Sequence, residues 1–306
     1  MESCKDLQFC EPSSEERSAG NLHATLCGSR YRETGPATRL LYPVFFYIVM
    51  AFTLITGASM GIGEAFAREF ARRGHNLILV ARSGDRLQAL AEELRQKRGV
   101  EIDVCVEDLS DGESPGRIYE FCRFKKADVE LLVNCAGLSL AGDFAEMPYK
   151  KLEEIIMVNV MATARLTRLF LSDMVAKRKG SIINVASLGG LQGVPGLGLY
   201  SATKSFIMTL TEALHEELKG TGVNVLAVCP GFINTGFFKH SGHNAAKLRL
   251  PKSEADVVVA AAIKGLKQNR IRIFPTLIDN ILAFSQRMAT RRIVIRLAGF
   301  FAAVKD

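Results

Sequence analysis

Apolar residues gather along this chain in short dense runs separated by longer stretches of mixed polarity. Phe52–Thr56, Asn76–Ala81, Glu101–Val106, Val129–Asn134, Ser181–Ala186 and Val223–Val228 are such runs, each five or six residues long. Near-continuous Val, Ile and Leu over that length is the pattern of a parallel strand buried on both faces. Between the runs the spacing changes to that of a helix. Residues 64–74 set Ala65, Phe66 and Phe70 against Glu64, Arg68 and Arg72, and Asp85–Lys97 places Leu87, Leu90, Ala91 and Leu94 on one face. Further helices are expected at Ser114–Lys125, Met147–Val158, Val160–Lys177, Leu199–Lys219 and Ser253–Leu266, and a last strand at Arg270–Phe274. Strand and helix alternate without an internal repeat. The pattern predicts a doubly wound, Rossmann-like α/β fold: one parallel seven-stranded sheet with helices on both faces, spanning 51–274.

The ends of the chain break this pattern. Residues 1–50 form an N-terminal extension, polar and acidic at EPSSEERSAG and without periodicity, so disorder is expected there. Its acidic start does not fit a secretory signal. Leu40–Ile55 is uncharged and apolar, but it is short for a membrane span, Pro43 interrupts it, and its end is needed for the first strand. The run MAFTLITGAS also makes Met50 a plausible natural start, in which case the extension is not native. At the other end, 275–306 mixes apolar residues with arginines; Arg292 and Arg296 share one helical face, and an amphipathic helix is expected.

Charge sharpens the reading of that tail. The formal net charge of +7 is carried almost entirely by residues 264–306, with nine basic and two acidic groups. A nearly neutral domain with a basic, apolar tail points away from nucleic acid. Packing on the domain, a dimer contact or a peripheral contact with an anionic membrane is expected of the tail. The seven cysteines include no CxxC pair, which fits reduced thiols in a cytoplasmic protein. His240 and His243 have no partners in the sequence that complete a metal site, so no metal is expected.

Candidate chemistry collects just after the strands, where open α/β sheets bind ligands. After the first strand come Gly57, Gly61 and Gly63 and then a helix start. Glycines let backbone approach a pyrophosphate, and the free amides of the helix favour its charge. After the second strand stands Ala81 where an NAD site usually carries an acid, followed by Arg82, which suits the 2′-phosphate of NADP. NADP(H) is therefore expected over NAD(H). Tyr200 and Lys204 lie one turn apart on a helix, and Ser187 ends the preceding strand. A lysine beside a phenol favours phenolate and is expected to lower the Tyr200 pKa, while a serine hydroxyl can hold a carbonyl oxygen.

Together these residues resemble the short-chain dehydrogenase/reductase family, in its compact single-domain branch, over about residues 52–235. Thr56–Gly63 (TGASMGIG) matches the TGxxxGxG turn, Asn134–Gly137 (NCAG) is similar to NNAG, Tyr200–Lys204 (YSATK) matches YxxxK, and Pro230–Gly231 matches the PG motif. The resemblance implies catalytic roles for Asn159, Ser187, Tyr200 and Lys204. Tyr200 would be the general acid, Lys204 would bind the nicotinamide ribose, Ser187 would orient the substrate oxygen, and Asn159 would hold a water of the proton relay. It implies cofactor contacts from Thr56, Gly57, Ser59, Gly61, Ile62, Gly63, Arg82, Asp108, Asn134, Gly137, Pro230, Gly231, Ile233 and Thr235, besides Tyr200 and Lys204. Cys135 departs from NNAG and is expected to be a packed thiol, and Met60 leaves out a basic residue that would add a phosphate contact.

The implied reaction is hydride transfer between nicotinamide and a small hydrophobic ketone or secondary alcohol. Phe232, Phe237 and Phe238, in the segment where the family carries a lid, suit such a substrate or, equally, form the core beneath the loop. The competing reading is an NADPH-binding regulatory module with little turnover; the intact catalytic set argues against it. Family habit implies a homodimer or homotetramer built on the helices near 148–178 and 199–219.

Overall fold

The computed structural model describes residues 51–237, 241–242, 248 and 250–304. The expectations for the N-terminal extension, and for Phe238, His240 and His243, therefore lie outside the described residues.

Seven parallel strands form one sheet in the order β3-β2-β1-β4-β5-β6-β7. They are β1 (Ala51–Thr56), β2 (Asn76–Ala81), β3 (Ile102–Val106), β4 (Asp128–Asn134), β5 (Gly180–Val185), β6 (Val223–Val228) and β7 (Arg272–Ile273). The last is only two residues long, shorter than the run from Arg270 to Phe274 suggested. The dense apolar runs arise because successive side chains enter different cores. Leu77 and Leu79 pack with Phe66 and Phe70 of α1 (Gly61–Arg72), with Leu87 and Leu94 of α2 (Gly84–Arg98), and with Val258. Ile78 and Val80, one residue out of phase, face the opposite core with Ile118 of α3 (Ser114–Phe124) and with Leu166 and Phe170. Each face is thus closed by helices, and no strand needs a polar side.

One expected boundary disappears. The sequence suggested a break at Asn159, but α4 (Tyr149–Ile156) runs into a π-helical turn, Met157–Ala162, and on into α5 (Thr163–Lys177). The joined helix, Tyr149–Lys177, is long and apolar enough to cross a membrane by length and composition alone. Val158, Ala162, Leu166, Phe170 and Met174 are instead spent on the core. After α6 (Gly198–Glu217) and α7 (Ala255–Lys267), the tail forms two helices, α8 (Leu277–Ser285) and α9 (Arg291–Ala302).

The strand order reverses between β1 and β4, so their carboxyl ends diverge and leave a crevice there. The motif residues of the preceding section converge on it.

Candidate active site

The crevice opens into one cavity of about 1080 Å³. Its nucleotide-like end is built by the turn after β1. Gly63 has no alternative: a Cβ there would lie 2.2 Å from the Gly57 carbonyl oxygen. With that close approach, α1 begins directly under the turn. No side chain caps it, so its first amides face the cavity with the positive end of the helix dipole behind them. Thr56 serves this turn from behind. Its buried Oγ1 accepts hydrogen bonds from the backbone amides of Cys135 (3.0 Å) and Ala136 (3.1 Å), tying the end of β1 to the loop after β4.

At the far edge of this end, Arg82 leaves β2 and lies 3.7 Å from Asp108, both side chains largely exposed. Burial works to raise Asp108, yet the amide and hydroxyl of Ser110, with Arg82, hold its carboxyl below the ordinary value. Arg86, one turn into α2, lines the same edge. It was not among the expected residues, because on sequence it is one more charge on a polar helix face.

The reactive-looking cluster stands where β5 and α6 meet. Ser187 follows β5, and its Oγ accepts the Gly189 amide at 3.1 Å, opening a short 3₁₀ turn. Tyr200 and Lys204 project from the first turns of α6, with the Lys204 ammonium 5.7 Å from the centre of the Tyr200 ring. Lys204 is buried and donates to the Val185 carbonyl at 2.8 Å. Burial lowers its pKa to about 8. Burial also pushes Tyr200 up to about 12, against a hydrogen bond from Ser187 that pulls it down. The lowering of Tyr200 expected from its lysine neighbour is therefore not what the folded site shows: desolvation of the phenolate outweighs the Ser187 hydrogen bond that favours it.

Asn159 sits behind this cluster rather than in it. Its side chain clamps Leu138, accepting from the Leu138 amide at 2.7 Å and donating to its carbonyl at 2.8 Å, with a third bond to Thr203 Oγ1. The π turn is what rotates it toward the loop after β4. Asn134 is also buried and turned into the sheet, donating to Thr167 Oγ1 and Asn184 Oδ1. Thr56, Asn134 and Asn159 thus support the cavity without lining it. The structure places every other expected site residue on the cavity wall: Gly57, Ser59, Gly61, Ile62, Gly63, Arg82, Asp108, Gly137, Ser187, Tyr200, Lys204, Pro230, Gly231, Ile233 and Thr235. Cys135 is a free thiol that packs against the core, as expected, and also borders the cavity; burial pushes it up to about 12.

The opposite end of the cavity is apolar. Leu188, Val194, Leu197 and Phe237 line it from the body of the fold, and the Phe237 ring stands 5.8 Å from that of Tyr200. The remaining wall is the tail: Leu282, Val294, Leu297, Ala298 and Phe301. Amphipathic spacing announced tail helices but not that one face would complete this cavity. Several contacts fix the tail in place. Thr276 and Asp279 form a capping box at the start of α8, Gln286 donates to Gln192 at 2.6 Å, and Arg291 donates to the Leu191 carbonyl at 2.8 Å. The Asp279 carboxylate also lies against Gly231, where a Cβ would come within 2.3 Å of Oδ1.

These features fit a nicotinamide dinucleotide: an uncapped helix N-terminus under a glycine turn, cations at one edge, and the Ser187–Tyr200–Lys204 cluster beyond. Comparison with known proteins agrees. The family profile described as short chain dehydrogenase matches residues 51–246. The very-long-chain 3-oxoacyl-CoA reductase of Anas platyrhynchos is 34% identical over 223 residues, covering 71% of this chain and 70% of that protein. Among solved structures, a short-chain dehydrogenase from Sphingobium yanoikuyae in complex with NADPH is 33% identical with a TM-score of 0.71, covering 78% of this chain and 94% of that one. A short-chain dehydrogenase/reductase from Burkholderia phymatum in complex with NAD is 26% identical, also with a TM-score of 0.71, covering 78% and 93%.

Proposed function

This chain belongs to the short-chain dehydrogenase/reductase family of oxidoreductases, and we propose that it is an NADP(H)-dependent enzyme interconverting a hydrophobic ketone and its secondary alcohol. One observation carries the reading: Ser187, Tyr200 and Lys204 stand on the wall of a single cavity, between a phosphate-type cradle and an apolar chamber. The name of the avian relative makes a 3-oxoacyl chain the first substrate to try.

Gly57, Gly61, Ile62 and Gly63 would hold the pyrophosphate, and Lys204 the nicotinamide ribose. A bound nicotinamide dinucleotide supplies the hydride. The protein's own part is the proton and the placement of the oxygen. Ser187 donates a hydrogen bond to the substrate oxygen, and Tyr200, neutral because burial holds its pKa near 12, gives its proton to that oxygen as a general acid. Asn159 holds the loop after β4 and would seat a water behind Lys204. Arg82 and Arg86 favour the 2′-phosphate of NADP; no acid at Ala81 opposes it. A homodimer or homotetramer is supported by apolar side chains left exposed on the joined helix and α6, among them Tyr149, Met161 and Phe206.

The test follows NADPH and NADH absorbance during turnover of a graded series of apolar ketones and 3-oxoacyl thioesters. Wild-type turnover favouring NADPH, reduced by about 100-fold or more in Tyr200→Phe with NADPH binding intact, is expected. Tight NADPH binding with no turnover on any of them would favour the regulatory module instead.

A further inference from the structure

The two tail helices are apolar on two sides. Their inner faces are accounted for: Leu282 and Ala298 line the cavity, and Val294 and Ala302 are buried. Their outer faces carry a second apolar stripe. On α8 it is Leu277, Ile281 and Phe284, spaced i, i+4, i+7, with Met288 in the turn that follows; Leu277 and Met288 are 76% and 77% exposed. On α9 the same spacing recurs at Ile293, Leu297 and Phe300, each about half exposed. A surface helix of a soluble domain normally offers polar residues there.

Arginines border the stripe. Arg287, Arg292 and Arg296 pair with no carboxylate among the described residues. The single acidic residue between Pro275 and Val304 is Asp279, and it is buried in its capping box. This charge pattern decides between partners. A second copy joined face to face would set arginines against arginines with no acid to answer them. An anionic lipid headgroup layer supplies the missing charge, and the acyl region below it takes the apolar stripe.

We propose that the outer face of α8 and α9 docks on an anionic membrane surface. Leu297 belongs both to the exposed stripe and to the cavity wall, so docking brings the apolar end of the cavity to the lipid. Uptake of a lipid-soluble ketone from the bilayer at that rim rests on the reductase reading; the docking itself does not.

Co-sedimentation of the full chain with vesicles tests this without turnover. Wild-type protein is expected to pellet with phosphatidylcholine vesicles containing phosphatidylglycerol, to bind pure phosphatidylcholine far less, and to release as salt rises. Two variants are compared. Phe284→Ser/Met288→Ser/Ile293→Ser removes apolar contact, and Arg287→Glu/Arg292→Glu/Arg296→Glu reverses the charge. Each is expected to lower binding by about ten-fold or more, with circular dichroism and NADPH binding unchanged. If the serine variant misfolds, the charge-reversed variant decides. Wild-type protein that ignores both vesicle types overturns the proposal. So do variants that pellet as wild type does, which would place binding elsewhere in the chain. A serine variant that loses only self-association, read by light scattering, would assign the face to a second copy.

Discussion

Lys204 and Tyr200 show how burial and proximity compete at one residue pair. The sequence displays the proximity, since one helical turn separates them. It does not display the desolvation, which comes from β5, the loop after β4 and the cavity wall. Burial drives each group toward its neutral form, so Lys204 falls to about 8 while Tyr200 rises to about 12. The lysine shift has a stability consequence of definite sign. Below pH 8 the lysine is protonated folded and unfolded, and the fold carries the whole cost of burying a cation. From pH 8 to its unfolded value of 10.5 the unfolded chain binds more protons, so stability rises with pH through that window. The full relief is bounded at about 3 kcal/mol. Lys204→Met removes the titration. Denaturant unfolding at several pH values should therefore show wild type gaining on the variant between pH 8 and 10.5, and then losing none of that gain through this group. Parallel pH profiles would mean that Lys204 is not held in a desolvated site. Above pH 10, ionisation of Tyr200 in the unfolded chain pulls the other way.

At the scale of elements, the expected pattern and the structure agree where one signal decides and part where two compete. Strands β1 to β6 were legible because a strand covered on both faces must be apolar at nearly every position. α2 was legible from Leu87, Leu90, Ala91 and Leu94, all of which are buried. The π turn at Met157–Ala162 was not: it differs from α-helix by one extra residue in a turn, and composition carries no mark of that. The apparent break at Asn159 was the trace it left, a polar residue in an apolar helix. Its bonds explain its presence, since it satisfies both the amide and the carbonyl of Leu138. Asn159→Ala removes the partners of the part-buried Leu138 amide and carbonyl, and a loss of about 2 kcal/mol in unfolding free energy is expected. The loop after β4 should loosen with it, seen as faster amide hydrogen exchange at residues 136–139. An unchanged melting temperature would show that water replaces the amide at no cost. The Pro230–Gly231 motif was likewise visible, but its partner was not: Asp279 comes from the tail, far along the chain.

At the scale of the whole molecule, the cavity joins two parts of the chain that differ in kind. The cradle and the Ser187–Tyr200–Lys204 cluster come from strand ends, whose positions the sheet fixes. The apolar chamber is completed by α8 and α9, held to the rest by Gln286 on Gln192, Arg291 on Leu191 and Gly299 against Pro195. Cofactor site and chamber should therefore be separable by mutation. Ala298 faces the chamber from α9 and lies well along the chain from every cradle residue. Ala298→Trp adds a large side chain to that space and leaves the turn after β1 untouched. Michaelis constants for long apolar ketones should rise by about ten-fold or more, as expected when bulk replaces room that the substrate's chain occupied. Short ketones, which reach Tyr200 without filling the chamber, should keep theirs within about two-fold, and NADPH affinity should not move. Equal losses on short and long ketones would mean that the chamber does not hold the substrate chain, and the tail would then matter through its outer face alone.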